Sequence, residues 1–95
     1  MDYSVKLTST VAVAVTNLHP DIKKQVKKSF KELAGDPYSG KELQEELAGF
    51  LTHRFKRYRI IYKVDESEKN IIVDMIGHRR DIYELFTELI DLQKG

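Results

Sequence analysis

Tyr58-Arg59-Ile60-Ile61-Tyr62 and, after a polar gap, Ile76-Gly77-His78-Arg79-Arg80-Asp81-Ile82-Tyr83 are the segments whose reading decides the fold. Their β-branched and aromatic residues predict strands. Each segment also plants arginines on or at the end of an apolar run, where a purely structural strand carries Thr, Val or one solvated charge. Guanidinium groups held on rigid strands suggest a surface that binds phosphate.

Working outward, Phe50 to Phe55, Tyr58 to Val64 and Ile71 to Gly77 read as three strands, joined by a tight Lys56-Arg57 turn and the polar Asp65 to Asn70 loop. Successive hairpins imply an antiparallel meander. Ile71-Ile72-Val73 with Ile76 puts apolar residues on both faces, as in a central strand covered on each side. From Asp81 onward, Ile82, Leu85, Phe86, Leu89 and Leu92 recur at helical spacing, so a terminal helix lays an apolar face on the sheet or on another chain.

Toward the N-terminus, Tyr3, Val5 and Leu7 alternate with Ser4 and Lys6 as a short strand does, and Thr8-Ser9-Thr10 is a helix start. The next segment reads two ways. Val11 to Thr16 alternates like a strand and is rich in valine, whereas Val11, Ala14, Val15 and Leu18 fit one helical face; local propensity leans to strand. His19-Pro20-Asp21 then supplies an N-cap, a first-turn proline and an acid that complements the helix dipole. Ile22, Val26, Phe30 and Leu33 form one apolar stripe, and Gly35 with Asp36-Pro37 ends the helix. Lys23, Lys24, Lys27, Lys28 and Lys31 cover its other side, read first as a solvated face and second as a contact to RNA backbone. Tyr38 to Gly49 is a polar connection with a helical turn through Glu42, Leu43, Glu46 and Leu47.

Ninety-five residues that are 41% apolar suffice for one core, so a single domain over 1–95 is expected, with any site an open surface or groove. The absence of cysteine excludes disulfides, thiolate metal sites and cysteine nucleophiles. No apolar run reaches membrane-spanning length, and Met1-Asp2-Tyr3-Ser4 has no signal-peptide character, so a cytoplasmic protein without membrane partners is expected. No carboxylate metal cluster, phosphate loop or nucleophile triad is present, and neither metal nor cofactor is expected. The net charge of +1 conceals a segregation: Arg54, Lys56, Arg57, Arg59 and Lys63 fall between Phe50 and Val64 with no acid among them. The pattern fits a local positive field. It also fits an ordinary solvated hairpin.

The order strand, two helices, three-stranded meander and helix carries a further set of residues: Pro20, Leu47-Ala48-Gly49, Arg54, Tyr58-Arg59-Ile60-Ile61-Tyr62, Gly77-His78-Arg79 and Tyr83. In these the chain resembles the RelE/ParE toxin superfamily, the small toxins of toxin-antitoxin pairs. The resemblance implies an α+β fold of the RelE-like microbial RNase type: N-terminal strand, two-helix hairpin, antiparallel sheet meander and C-terminal helix. It therefore favours a helix for Val11 to Leu18, against local propensity.

By resemblance, RelE-type toxins are metal-independent endoribonucleases that cut mRNA in the ribosomal A site through attack of a 2′-hydroxyl on the adjacent phosphate. Such chemistry needs a base, donors for the phosphoryl oxygens and an acid for the leaving oxygen. Arg59 and Arg79 match the family's phosphate-contacting arginines and Tyr83 its terminal catalytic tyrosine, with the arginines expected to clamp one phosphate and to lower the tyrosine pKa; stacking of Tyr83 on a base is the alternative. Arg54, Lys56, Arg57, His78 and Arg80 are expected to contact RNA. Arg54, Arg79 and Arg80 are also placed to bridge carboxylates, the last two to Asp74, Asp81 or Glu84.

One departure stands out. Family members carry basic residues at alternate positions before the Tyr-Arg motif, where this chain has Phe50 and Thr52; His53, Lys56 and His78 are the nearby substitutes, each histidine equally readable as a surface hydrogen-bonding group. Tyr58 and Tyr62 share a strand face and read as packing residues. The partners implied are a cognate antitoxin, the ribosome and mRNA. A ParE-like toxin that poisons DNA gyrase, and a non-catalytic binding module of the same fold, are the competing functions.

Overall fold

The computed structural model describes residues 3–94; Met1, Asp2 and Gly95 lie outside the described residues. The elements are β1 (Ser4–Leu7), α1 (Ser9–Thr16), α2 (Pro20–Gly35), β2 (Lys41–Glu42), a 3-10 turn (Glu45–Leu47), β3 (Leu51–Phe55), β4 (Tyr58–Asp65), β5 (Asn70–His78) and α3 (Ile82–Lys94). They form an α+β fold in three layers, with a sheet ordered β1-β5-β4-β3-β2 between α1 and α2 on one face and α3 on the other.

β3, β4 and β5 make the expected antiparallel meander. Two strand pairings go beyond the sequence reading. β1 joins β5 in parallel, from Ser4 opposite Asn70 to Leu7 opposite Val73, which buries β5 inside the sheet. β2 pairs Lys41 with Thr52 and Glu42 with Leu51, so Glu42 lies in an edge strand and the helical turn shrinks to Glu45–Leu47.

Residues 9–16 are helical. The Thr8 side chain accepts from the Val11 amide at 3.3 Å, and Val11 is 2% exposed against the sheet. Tertiary packing of Val11 and Val15 overrides a few tenths of a kcal/mol per β-branched residue. α2 starts as its sequence dictates, with His19 Nδ1 accepting from the Asp21 amide at 3.1 Å and Pro20 in the first turn. Its stripe buries Val26 and Leu33 completely and leaves Ile22 and Phe30 half-buried.

Two cores result. Val11, Leu33, Leu51, Ile60, Tyr62, Ile71 and Val73 pack on the α1/α2 side; Leu47, Ile61, Ile82 and Phe86 pack on the α3 side. Strand alternation predicts this split along β4, and along β5 it is reset by a bulge: Tyr62 pairs with Val73 but Ile61 pairs with Met75, leaving Asp74 extra. Asp74 Oδ2 is buried without a hydrogen-bond partner, and burial pushes its carboxyl pKa up against the opposing pull of Lys63.

The segment before β2 is held from two sides. The fully buried Tyr62 donates its hydroxyl to the Pro37 carbonyl at 2.7 Å and accepts from the Gly40 amide at 3.2 Å. Glu66, in the β4–β5 loop, accepts from Tyr3 at 2.6 Å and from Tyr38, and lies 3.3 Å from Lys69 Nζ; the two tyrosine hydroxyls bring its carboxyl down to about 2. Residues 37–41 are thereby fixed as a wall beside β3.

Candidate active site

Arg54 and Arg59 sit directly opposite each other on β3 and β4, and strand alternation aims them to the α3 side, in line with Thr52 and Ile61. The first turn of α3 passes close to them, with the Ile82 side chain against Gly77, where an added Cβ would make ordinary contact at 3.5 Å. Tyr83 follows. Its ring packs against the α3-side core while its hydroxyl points at Thr52 Oγ1, 3.5 Å away, a separation too long for a strong bond.

Together with the wall Ser39-Gly40-Lys41 and with Glu32 and His53, these residues line a cleft of about 710 Å³. Lys41, Arg54 and Arg59 supply three cations, and Glu32 is the single acid among its lining residues. Arg59 is braced: Nη1 donates to the carbonyl of Tyr58 at 3.0 Å and lies 3.5 Å from that of Lys56. A guanidinium carries five N–H donors, so the brace leaves most of the fork for a ligand. His53 Nε2 lies 3.7 Å from Glu32 Oε2, and burial lowers the His53 pKa more than Glu32 raises it, which favours the neutral ring.

A second basic group borders the cleft at the hairpin tip. Lys56 takes a left-handed φ of 52° in the two-residue turn, and the Arg79 amide donates to the Arg57 carbonyl at 2.7 Å, which extends the sheet past the end of β5. Phe55 stacks on Tyr58 with centroids 5.4 Å apart, and His78 meets Tyr58 edge-on at 6.0 Å. His78 Nδ1 accepts from the Arg80 amide at 3.3 Å. Lys56, Arg57, Arg79 and Arg80 are exposed.

The residues singled out from the sequence thus divide in two. Arg54, Arg59 and Tyr83 line the cleft; Lys56, Arg57, His78, Arg79 and Arg80 sit at the tip beside it, joined to it where Arg59 pairs with Gly77. Phe50 is taken up by packing, edge-on to Phe86 at 4.9 Å, and Thr52 is buried. Tyr62 is a core residue, as its strand position suggests. Glu32, Ser39, Gly40 and Lys41 join the lining without a sequence motif to foretell it, because their convergence is tertiary; the lone Gly before Lys41 is the one local signal. Among the described residues no group of three or more His, Cys, Asp or Glu is arranged to hold a metal.

Comparison with known proteins agrees with this architecture. Residues 7–83 match the family described as ParE toxin of type II toxin-antitoxin system, parDE. The chain is 34% identical over 85 residues to Toxin RelG of Mycobacterium tuberculosis (strain ATCC 25618 / H37Rv), covering 87% of this chain and 98% of that one. Among solved structures it is similar to the toxin-antitoxin complex RelBE2 from M. tuberculosis, with TM-score 0.76 and 30% identity over 83% of this chain and all of the matched one. A mutant of the E. coli toxin RelE in the free state superposes with TM-score 0.77 over 96% of this chain and 97% of that one; at 17% identity it bears on the fold alone.

Proposed function

This chain belongs to the ParE toxin family of type II toxin-antitoxin systems, within the RelE/ParE superfamily, and from that premise we propose that it is a RelE-like endoribonuclease that cleaves mRNA on the ribosome. The observation that carries the reading is the convergence of Arg54, Arg59 and the Tyr83 hydroxyl on one cleft with a single acid in its lining. In the proposed reaction the 2′-oxygen of the target nucleotide bonds to the adjacent phosphorus and gives up its proton, while the 5′-oxygen leaves and takes one. Arg59, with Arg54 beside it, holds the phosphoryl oxygens as charge builds on them; such preorganised donors are worth about 10²–10³ in rate each. Arg79, at the tip, contacts the same strand. Tyr83 acts on a transferring proton or stacks on the base.

The partner proposed for the free toxin is an antitoxin, as the complexes containing its relatives suggest. A second reading, gyrase binding without RNA cleavage, is favoured by one observation: Phe50 and Thr52, where a strand base is expected, are committed to packing.

The test is inducible expression of the wild-type chain beside Arg59→Ala and Tyr83→Phe, with primer-extension mapping of mRNA ends and a supercoiling assay on purified gyrase. Growth arrest with new ends inside translated codons, lost in both variants, is the expected result. Arrest with intact mRNA and blocked supercoiling would transfer the assignment to gyrase.

A further inference from the structure

α2 presents Lys24, Lys27, Lys28 and Lys31 on its exposed side, at spacings of three and four residues that set like charges next to one another. Among the described residues none of the four forms an ion pair. The helix dipole does not account for them, since the last turn of α2 carries no base. The row lies opposite the buried Val26 and Leu33, so it mixes with none of the apolar surface that a protein interface needs, and lysine is the residue such interfaces avoid. A phosphodiester backbone takes up this kind of surface by releasing counterions.

The row also leads to the cleft. Glu32, one turn beyond Lys28 on the same helix, lines the cleft with Lys41, Arg54 and Arg59. We propose that the lysine row of α2 is a second RNA-backbone site, running past Glu32 into the cleft, which holds the phosphates of RNA lying outside the nucleotides in the cleft. The inference rests on the nuclease reading and adds to it an anchor that touches no reacting atom. Because the row runs into the cleft that takes the cleaved strand on the nuclease reading, its occupant is the flanking mRNA.

The test compares the wild-type chain with a Lys24→Gln/Lys27→Gln/Lys28→Gln/Lys31→Gln variant, folding being checked by thermal unfolding. Binding to an unstructured RNA oligonucleotide and to purified ribosomes is measured over a series of salt concentrations. The expected result is weaker binding and a slope of log affinity against log salt reduced by up to about 3, near 0.7 for each single-strand phosphate that the variant leaves unneutralised. A change on the oligonucleotide supports the site, whereas a change on ribosomes alone would move the row to ribosomal RNA and overturn its assignment to the messenger. Unchanged affinity and slope for both RNAs in a folded variant overturns it. If the wild-type chain binds neither RNA, the nuclease reading itself fails and the site falls with it.

Discussion

Arg54 and Arg59 face each other across the β3–β4 ladder, two like charges at a directly opposed position where strand pairs normally gain from unlike or apolar partners. On the proposed nuclease reading, function and not stability accounts for that pairing. Arg59→Ala is expected to leave stability within about 1 kcal/mol of wild type or above it, while mRNA cleavage falls by about 10²–10³. Thermal unfolding and primer extension on one preparation check both halves; a variant that unfolds early and still cleaves would make Arg59 a structural residue.

Gly40 is the position where the wall of the cleft approaches the core. A Cβ there would lie 2.5 Å from the Tyr62 hydroxyl and 2.7 Å from the Thr52 carbonyl. Gly40→Ala should therefore push the wall away from β3, break the bond from its amide to Tyr62, and destabilise the protein by about 1–3 kcal/mol. Tyr62→Phe removes that bond together with the one to the Pro37 carbonyl, without the clash, and should cost a comparable amount, about 1–3 kcal/mol, in chemical denaturation. Equal stability of Gly40→Ala and wild type would mean that the wall moves freely.

Asp74 gives a pH dependence of determined sign. Its folded pKa is raised above the ordinary 3.8 by burial, so the folded state favours the neutral acid, and stability falls as pH rises through 3.8 and up to the folded value. Asp74→Asn should therefore raise the unfolding temperature at neutral pH and lose that advantage below about pH 4. A lower unfolding temperature for Asp74→Asn at pH 7 would show that the ionised carboxylate is a stabilising partner.

The Glu32 and His53 pair gives the opposite trend. Burial holds the His53 pKa below 6.5, so the unfolded chain takes up the proton first and stability is lost as pH falls from 6.5 toward the folded value. Glu32→Gln removes the group that raises the His53 pKa and should deepen this acid loss. Because Glu32 is the one acid lining the cleft, the same change should also tighten RNA binding at low salt. A titration of affinity for an RNA oligonucleotide decides it, and weaker binding by Glu32→Gln would mean that the carboxylate orients His53 for the ligand.

Much of the fold is readable in the chain where the signal is local and long. The stripe of α2 with its His19-Pro20 start, the Lys56-Arg57 hairpin and the spacing of Ile82, Phe86 and Leu89 each predict their elements from a repeating pattern. α1 is ambiguous because alternating valines serve a strand and a helix equally well; its helix follows from what Val11 packs against. β2 has only Lys41 and Glu42, too short for any period, and the parallel partnership of Ser4–Leu7 with β5 joins segments far apart in sequence. Of the cleft, the hairpin arginines and Tyr83 are legible from strand position and motif. Glu32 and Lys41 arrive from separate elements, and no spacing foretells that.

The extra residue in β5 has a consequence for how relatives are compared. Before Asp74 the odd-numbered residues Ile71 and Val73 face α1 and α2, whereas after it the odd-numbered Met75 faces α3. Removing residue 74 would leave Val73 opposite Tyr62 and Met75 opposite Ile61, so the ladder would become regular and no side chain would turn over. Removing Ile76 instead would keep Gly77 and His78 in place only by pairing Asp74 with Ile61 and turning Met75 to the α1/α2 side. Position 74 is thus the place in this strand where a shorter homologue can carry its gap and still present the same tip.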